Sequence, residues 1–324
     1  MTAYAEVQKP TILSQPDQAP QRGSPAGVLD QSAKPAKQSS AQGENQNLSV
    51  PAVEFRNVHF FFDDEKVLDG ISFTAMKGEI KIILSGSGGG KSTILKLILG
   101  LLKPDEGQVL IDDEDITNYD ESQLKHVRDK IGMVFQEGGL FDSLSVYDNV
   151  AYRLHEEDIP EEDVEREVRL LLCFVGLEND MDKLPSELSG GMQKRVGIAR
   201  ALVGNPKIVL FDEPTGALDP PTAATISALI IRLRDLENVT SILVTHEMDT
   251  VKYITSEYAV VSEKGEVTVE EEGDSFCLSN TKILMLREGR VIFSGTNEEF
   301  VQSEDPYIQK FITGTEMEPN QMTQ

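Results

Sequence analysis

The sequence predicts an α/β fold: a mixed sheet core with an antiparallel β lead-in and a helical subdomain. Three observations predict it. The apolar run Ile80 to Leu84 leads into Ser85-Gly86-Ser87-Gly88-Gly89-Gly90-Lys91-Ser92-Thr93 and then into the helical Ile94-Leu95-Lys96-Leu97-Ile98. Further apolar runs, among them Ile131 to Phe135, Ile208 to Phe211 and Ser241 to Thr245, alternate with helical patterns, as strands joined by crossover helices do. Ahead of the glycine-rich stretch, short strand patterns are separated by turn signals at Asp63-Asp64 and Lys77-Gly78.

The composition bounds the rest. The chain has 324 residues, 39% of them apolar, enough to bury a core in one large domain or two small ones. The longest candidate for a membrane span, Ile94 to Leu102, is broken by Lys96 and falls short of the roughly 20 residues a span needs. The N-terminus lacks the basic-then-apolar pattern of a secretory signal, which implies a cytoplasmic protein. A net charge of −25 argues against nucleic acid as a main partner, because that binding draws on Lys and Arg neutralising phosphates. Cys173 and Cys277 have no paired spacing and no His neighbours, so neither a disulfide nor a metal site is expected. One thiol is expected buried on an apolar helix face and the other in a loop.

Residues 1 to about 50 are rich in Gln, Ser, Ala and Pro and read as a disordered tail; a transit peptide would carry more Arg and fewer acids. Val53-Glu54-Phe55, Val58 to Phe62 and Ile71 to Ala75 then read as strands. Phe62 closes the second of these where a ring can stack on a purine, while Phe60 and Phe61 read as ordinary sheet residues.

The glycine-rich stretch is a phosphate cradle. Gly86, Gly88, Gly89 and Gly90 leave the backbone free to approach β- and γ-phosphates, with Ser87 and Thr93 flanking them. The positive end of the following helix faces the same anion. Lys91 supplies a point charge, and the Ser92 hydroxyl is placed to ligate Mg²⁺. The pattern G-x-x-x-x-G-K-[ST] is met except at Ser85, which stands where the first Gly belongs.

After a strand at Gln108 to Ile111 and a short helix at Glu121 to Arg128, the strand Ile131 to Phe135 ends at Gln136. Ligands sit at the C-terminal edge of such strands, so the Gln136 amide is a candidate to reach Mg²⁺ or an attacking water. Residues 146 to 176 read as helices, with Val164, Val168, Leu171, Leu172 and Val175 at helical spacing, and the helical subdomain extends to about 200. It includes Leu188-Ser189-Gly190-Gly191-Met192-Gln193 ahead of a helix at Lys194 to Val203; Ser189 is a good N-cap, making a second anion-binding end.

Lys207 to Phe211 is a hydrophobic strand ending in Asp212-Glu213. Strand alternation gives adjacent carboxylates different directions, with Asp212 on the Mg²⁺ side and Glu213 facing a γ-phosphate and polarising water. Thr215 to Pro220 reads as a turn, Pro221 to Leu236 as a helix and Ser241 to Thr245 as a strand that ends at His246, a candidate γ-phosphate contact. Tyr258 to Val267 and Ile283 to Val291 share one shape, a strand, a charged Gly turn and a return strand. The acidic stretch between them, with Glu270-Glu271-Glu272, reads as part of an inserted surface hairpin at about 263 to 281. The folded region is placed at 51 to 314, followed by a flexible tail from 315 to 324.

With the phosphate loop, Gln136, Leu188 to Gln193, Asp212-Glu213, Asp219 and His246 standing in that order, residues 53 to 314 resemble the ATP-binding subunit of an ABC transporter. The resemblance implies a P-loop NTPase fold of ABC type that hydrolyses ATP with Mg²⁺. It makes Lys91 and Ser92 the Walker A pair, Gln136 the Q-loop, Asp212 the Walker B aspartate, Glu213 the catalytic base, Asp219 the D-loop aspartate and His246 the switch histidine. Ser189, Gly190 and Gly191 become the signature that contacts a partner subunit's γ-phosphate, and Phe62 the aromatic that stacks on adenine. Such sites are shared between two chains in a head-to-tail homodimer, which works on an integral membrane permease at the cytoplasmic face of the inner membrane.

A narrower resemblance, to the ATPases of the Mla/MCE lipid-transport systems, is carried by Phe135 to Val146, Asp148 to Tyr152, Pro185 to Met192 and Ser303 to Gly314. It implies phospholipid or other hydrophobic cargo and an MCE-type substrate-binding protein as a partner. Ser85, the hairpin and the long N-terminal stretch depart from that pattern. Another cargo is the nearest alternative, since the permease largely determines it. A soluble ABC protein acting on nucleic acid or ribosomes usually carries two ATPase halves, a coiled coil or zinc-binding cysteines, and none is visible. A binding module that no longer hydrolyses is opposed by Lys91, Glu213 and His246.

Overall fold

A computed structural model describes residues 50–63, 65–86, 88–262, 267–271 and 280–314. Both terminal stretches expected as tails, Ser87, Cys277 and much of the expected acidic hairpin thus lie outside the described residues. The chain runs through β1 (Val53–Phe62), β2 (Glu65–Ala75), β3 (Ile80–Leu84), α1 (Lys91–Ile98), β4 (Glu106–Ile111), β5 (Glu114–Asp115), α2 (Glu121–Arg128) and β6 (Ile131–Val134). Three helices follow, α3 (Val146–Glu156), α4 (Glu161–Phe174) and α5 (Gly190–Leu202), and then β7 (Ile208–Asp212), α6 (Pro220–Glu237), β8 (Thr240–Thr245) and α7 (Met248–Ser256). The remaining elements are β9 (Glu257–Val261), β10 (Val267–Glu271), β11 (Thr281–Arg287), β12 (Arg290–Gly295), α8 (Asn297–Val301) and α9 (Pro306–Thr313).

Six strands form the central sheet in the order β12-β11-β3-β8-β7-β6; all its pairings are parallel except β11 with β12. Parallel strands are covered on both faces, which is why β3, β7 and β8 read as continuous apolar runs. Their alternation divides the interior in two. Ile80, Ile82, Leu84, Val209, Phe211 and Leu243 pack against helices from α3 through α9. Ile83, Ile208, Leu210, Ile242 and Val244 pack with α1, α2 and the antiparallel sheet β2-β1-β4-β5. Lys81 interrupts the β3 run yet is 3% exposed, and its ammonium lies 2.6 Å from the equally buried Glu79 carboxylate. Burial pushes the Lys81 pKa down, against the pull of Glu79.

The first two strand patterns are one strand. Core residues change parity along β1, from Val53 and Phe55 to Val58 and Phe60, and a register shift against β2 between Phe55 and Val58 absorbs the extra residue. Asn57, at φ 48, sits in that shift. Helix α4 buries Val164, Val168, Leu171 and Leu172 as expected, with Val175 just after it. Cys173, expected on a buried face, is exposed, because it lies off the stripe that those residues define. The two look-alike hairpins also diverge. Among the described residues β9 and β10 pair only with each other, whereas β11 inserts beside β3 and buries Ile283 to Leu286. The four consecutive apolar residues of β11 suit a strand covered on both faces; β9 is only partly buried.

Replacing Ile82, fully buried in β3, with Ala is expected to cost about 2–5 kcal/mol in urea unfolding. Leu101→Ala, at a side chain 58% exposed, is expected to stay within about 0.5 kcal/mol.

Candidate functional site

The ends of three central strands are level. Leu84 pairs with Thr245 and Asp212 with Val244, so the segments after β3, β7 and β8 leave the sheet at one edge. Val134 is paired with Phe211, which places the segment after β6 beside them.

Gly88 and Gly90 take φ of 75° and 87° in the phosphate loop. A Cβ at Gly90 would come within 2.7 Å of Leu68 Cδ2 and 3.3 Å of Val67 O, so β2 runs directly against the loop. This contact brings up the β1–β2 hairpin, whose Phe62 is 66% exposed. Gly90 caps α1 with no side-chain hydrogen bond, leaving the first-turn N–H groups available to an anion. Ser92 and Thr93 lie in that first turn.

The departure at Ser85 has a local counterpart. Ser85 is fully buried, its Oγ donates to Gly86 O at 3.0 Å, and a Cβ at residue 89 would sit 2.6 Å from Ser85 Cβ and closer still to its Oγ. The serine fits because residue 89 has no side chain.

Lys91 Nζ donates to Ser85 O at 2.9 Å and Gly86 O at 3.3 Å, and lies 3.6 Å from Glu213 Oε1. That oxygen also accepts from His246 Nδ1 at 2.9 Å, while Glu213 Oε2 accepts from Thr245 Oγ1 at 3.1 Å. A carboxylate partner assigns the proton of this bond to His246 Nδ1. Asp212 is turned elsewhere, with Oδ2 accepting from Ser92 Oγ at 3.4 Å. The two carboxylates part for a different reason than strand alternation. β7 ends at Asp212, and Glu213 takes the left-handed φ of 46°. That conformation costs on the order of 1–3 kcal/mol in a non-glycine residue. Here it is held by Glu213 N–H donating to Val244 O at 3.0 Å and Gly216 N–H donating to Glu213 O at 3.1 Å.

Burial, and then the neighbouring Glu213 charge, push the Asp212 pKa upward, against the opposing pull of Ser92 and Lys91. A divalent cation beside Ser92 would favour the ionised form. One carboxylate and one hydroxyl 3.4 Å apart suit a hard cation such as Mg²⁺ that takes its other ligands from phosphates and water. Among the described residues no group of three or more His, Cys, Asp or Glu forms a metal cage.

Ser189, Gly190 and Gly191 belong to a second group. Ser189 accepts from Met192 N at 3.3 Å as the N-cap of α5, which starts at Gly190, earlier than the expected Lys194. A Cβ at Gly190 would approach Leu218, and one at Gly191 would collide with Thr222. Asp219 caps α6, accepting from Thr222 N at 3.1 Å and Thr222 Oγ1 at 2.7 Å, and these bonds hold its pKa low. Phe62 and Gln136 are exposed and hydrogen-bonded to neither group; β6 ends at Val134, leaving Gln136 two residues beyond the strand. Ser87 lies outside the described residues.

Sequence reasoning passed over Lys194, which is buried and reaches the turn after Glu213, and the cluster in which Thr215 donates to Glu247 at 2.6 Å beside Thr250. A signal for the first exists: Lys194 stands three residues after Gly191 and four before Ile198, on the buried stripe of α5.

The family model described as ABC transporter matches residues 68–216. The intermembrane phospholipid transport system ATP-binding protein MlaF of Haemophilus influenzae is 36% identical over 271 residues, 83% of this chain and 92% of that protein. The methionine import ATP-binding protein MetN 1 of Bacillus thuringiensis subsp. konkukian is 41% identical over 228 residues, 69% of this chain and 66% of that protein. Among solved structures, the dimeric ATP-binding cassette MJ0796 in a post-hydrolysis state with ADP and Pi is 31% identical with a TM-score of 0.61, covering 75% of this chain and 98% of that one.

Gly89→Ala is expected to destabilise the chain by about 1–3 kcal/mol through overpacking against Ser85. Ser85→Gly in the same chain should restore most of that loss, so chemical denaturation of both single variants and the double variant reads the coupling directly.

Proposed function

Because the chain belongs to the ATP-binding proteins of the ABC transporter family, and is an ATPase of that kind, we propose that it powers a membrane permease for phospholipid or a similarly hydrophobic cargo. The observation that carries the hydrolytic part is the convergence of Lys91, Glu213 and His246, with Ser92 and Asp212 beside them.

ATP binds with its phosphates in the loop formed by Ser87, Gly88, Gly89 and Gly90, on the first turn of α1 with Lys91, Ser92 and Thr93, and with adenine stacked on Phe62. Ser92 and Asp212, with Gln136, would hold Mg²⁺, which would supply charge neutralisation for the β- and γ-phosphates. Within the chain Lys91 is ion-paired with Glu213 Oε1 and His246 bonds it, and a γ-phosphate in the loop offers both competing oxygens. Their transfer to phosphate leaves the Glu213 carboxylate free to accept a proton from the attacking water.

One phosphate loop and one Ser189-Gly190-Gly191 turn in each chain, held in separate groups of contacts, support a head-to-tail homodimer in which the signature and Asp219 of one chain complete the site of the other. The dimeric state of MJ0796 supports the same reading. Closure on ATP and opening after hydrolysis then reach the permease through the exposed surface around Gln136, where Phe135, Phe141 and Tyr152 are also exposed. Among the described residues no helix is long and apolar enough to cross a membrane. This supports a peripheral subunit, which we place on the cytoplasmic face of the inner membrane.

The lipid reading rests on MlaF, whose similarity runs over 83% of this chain; an MCE-type substrate-binding protein as partner rests on the resemblance carried by Phe135 to Val146 and Ser303 to Gly314. The higher identity to MetN 1 over a shorter stretch favours a second reading, a different small cargo.

Glu213→Gln is expected to abolish turnover while trapping an ATP-bound dimer on size exclusion; near-normal hydrolysis would remove Glu213 from the role of base. Phe62→Ala should weaken ATP binding by about 1–3 kcal/mol in a direct titration if the ring stacks on adenine. Isolation from the native membrane in mild detergent is expected to bring down a permease, an MCE-type protein and phospholipid. Arrival alone or with ribosomes would leave the ATPase in place and overturn the transport assignment.

A further inference from the structure

Lys194 is 5% exposed, and the ATPase reading gives it no work. Its Nζ donates to Gly216 O at 2.5 Å and to Glu213 O at 3.4 Å. Both carbonyls belong to the turn that holds Glu213 in the left-handed region. Burial pushes the Lys194 pKa down, while Glu247 and Glu213 pull it back up. An ammonium in such a place costs free energy unless its protons are bonded, and here two hydrogen bonds go to the turn that joins Glu213 to Asp219.

The same helix begins with the signature. Its first residues abut that turn and its continuation, Gly190 at Leu218 and Gly191 at Thr222. The start of α5 and the Glu213 turn are thus fastened by two close packings and a charged bond. In the head-to-tail dimer these parts of one chain serve different ATP molecules, since the signature engages the partner's phosphate and Glu213 acts on the chain's own.

We infer that Lys194 is a positioning residue that couples the two ATP sites: it ties the signature helix to the carbonyls of the Glu213 turn, so that engagement of the signature on one ATP sets the carboxylate at the other. The inference rests on the head-to-tail reading above. Lys194 touches no reacting atom; it acts through the backbone of Glu213 and Gly216. A shift of this turn by a fraction of an ångström moves the base relative to its water, and misplacement of about 1 Å is enough for large losses in rate.

The test is steady-state ATP hydrolysis by the full chain in its membrane complex, comparing wild type, Lys194→Met, Lys194→Arg and Glu213→Gln, with ATP binding and the unfolding midpoint measured on each. Lys194→Met is expected to lose about tenfold or more in kcat with KM changed less than about twofold, and its Hill coefficient for ATP should fall toward about 1. Lys194→Arg, which keeps a cation for the carbonyls, should recover cooperativity. Should Lys194→Met fail to fold, Lys194→Gln, which keeps an N–H donor, carries the comparison and should show a partial loss of cooperativity. A folded Lys194→Met or Lys194→Gln with wild-type kcat and Hill coefficient overturns the inference, as does a loss confined to KM. If Glu213→Gln is inactive while Lys194→Met behaves as wild type, only the role of Lys194 falls. A wild-type coefficient of about 1 together with an active Glu213→Gln overturns the dimeric catalytic reading itself.

Discussion

The parallel pairing of β3 with β8 and of β8 with β7 sets where every charged group of the site can stand. Leu84 is level with Thr245, and Asp212 with Val244, so the residues that follow each strand emerge together. Slipping any strand by one residue would exchange its two buried faces, and both faces are apolar core here. The register is therefore held by side chains distributed over the whole interior. Through it the helix α1, which leaves the same edge, brings Lys91 and Ser92 to the carboxylates of β7, and β8 delivers His246 to Glu213.

At that edge a backbone conformation, more than a side-chain choice, separates two tasks. Asp212 completes its strand and turns to Ser92; Glu213 leaves it in the left-handed region and turns to Lys91, Thr245 and His246. Two adjacent carboxylates thereby keep distinct partners, one suited to a hard cation and the other to a proton. The turn that permits this is tied down by its own N–H and C=O bonds and by Lys194 from α5. The glycine-rich loop shows the same economy of space: Ser85 fills a volume that the glycine at position 89 leaves open.

The contacts of the chain divide into two groups, one around Lys91 and Glu213 and one around the start of α5 and Asp219. A protein that used each group on a different nucleotide would need its second copy for every turnover, and the interior connection between the groups would then carry information between sites. Cargo is a separate matter. The groups at this edge of the sheet suit phosphate, a cation and a proton, and the similarity to MlaF and to MetN 1 differs in extent and identity.

The sequence by itself determined the features whose parts are neighbours along the chain. The parallel core is legible because β3, β6, β7 and β8 are nearly continuous apolar runs. The strand, loop and helix around Lys91 are legible because the glycines, the lysine and the hydroxyls stand within nine residues. The stripe of α4 is legible from its spacing, although Cys173 was placed on the wrong side of it. Only the tertiary structure decided what depends on residues far apart. Examples are the 120-residue separation of Ser92 and Asp212, the contact of Lys194 with Gly216, the bulge that joins two apparent strands into β1, and the insertion of β11 but not β9 beside β3. Local pattern reports which face of an element is apolar; it carries no record of which distant backbone carbonyl or hydroxyl will meet that face, because that choice is made by packing the whole interior at once.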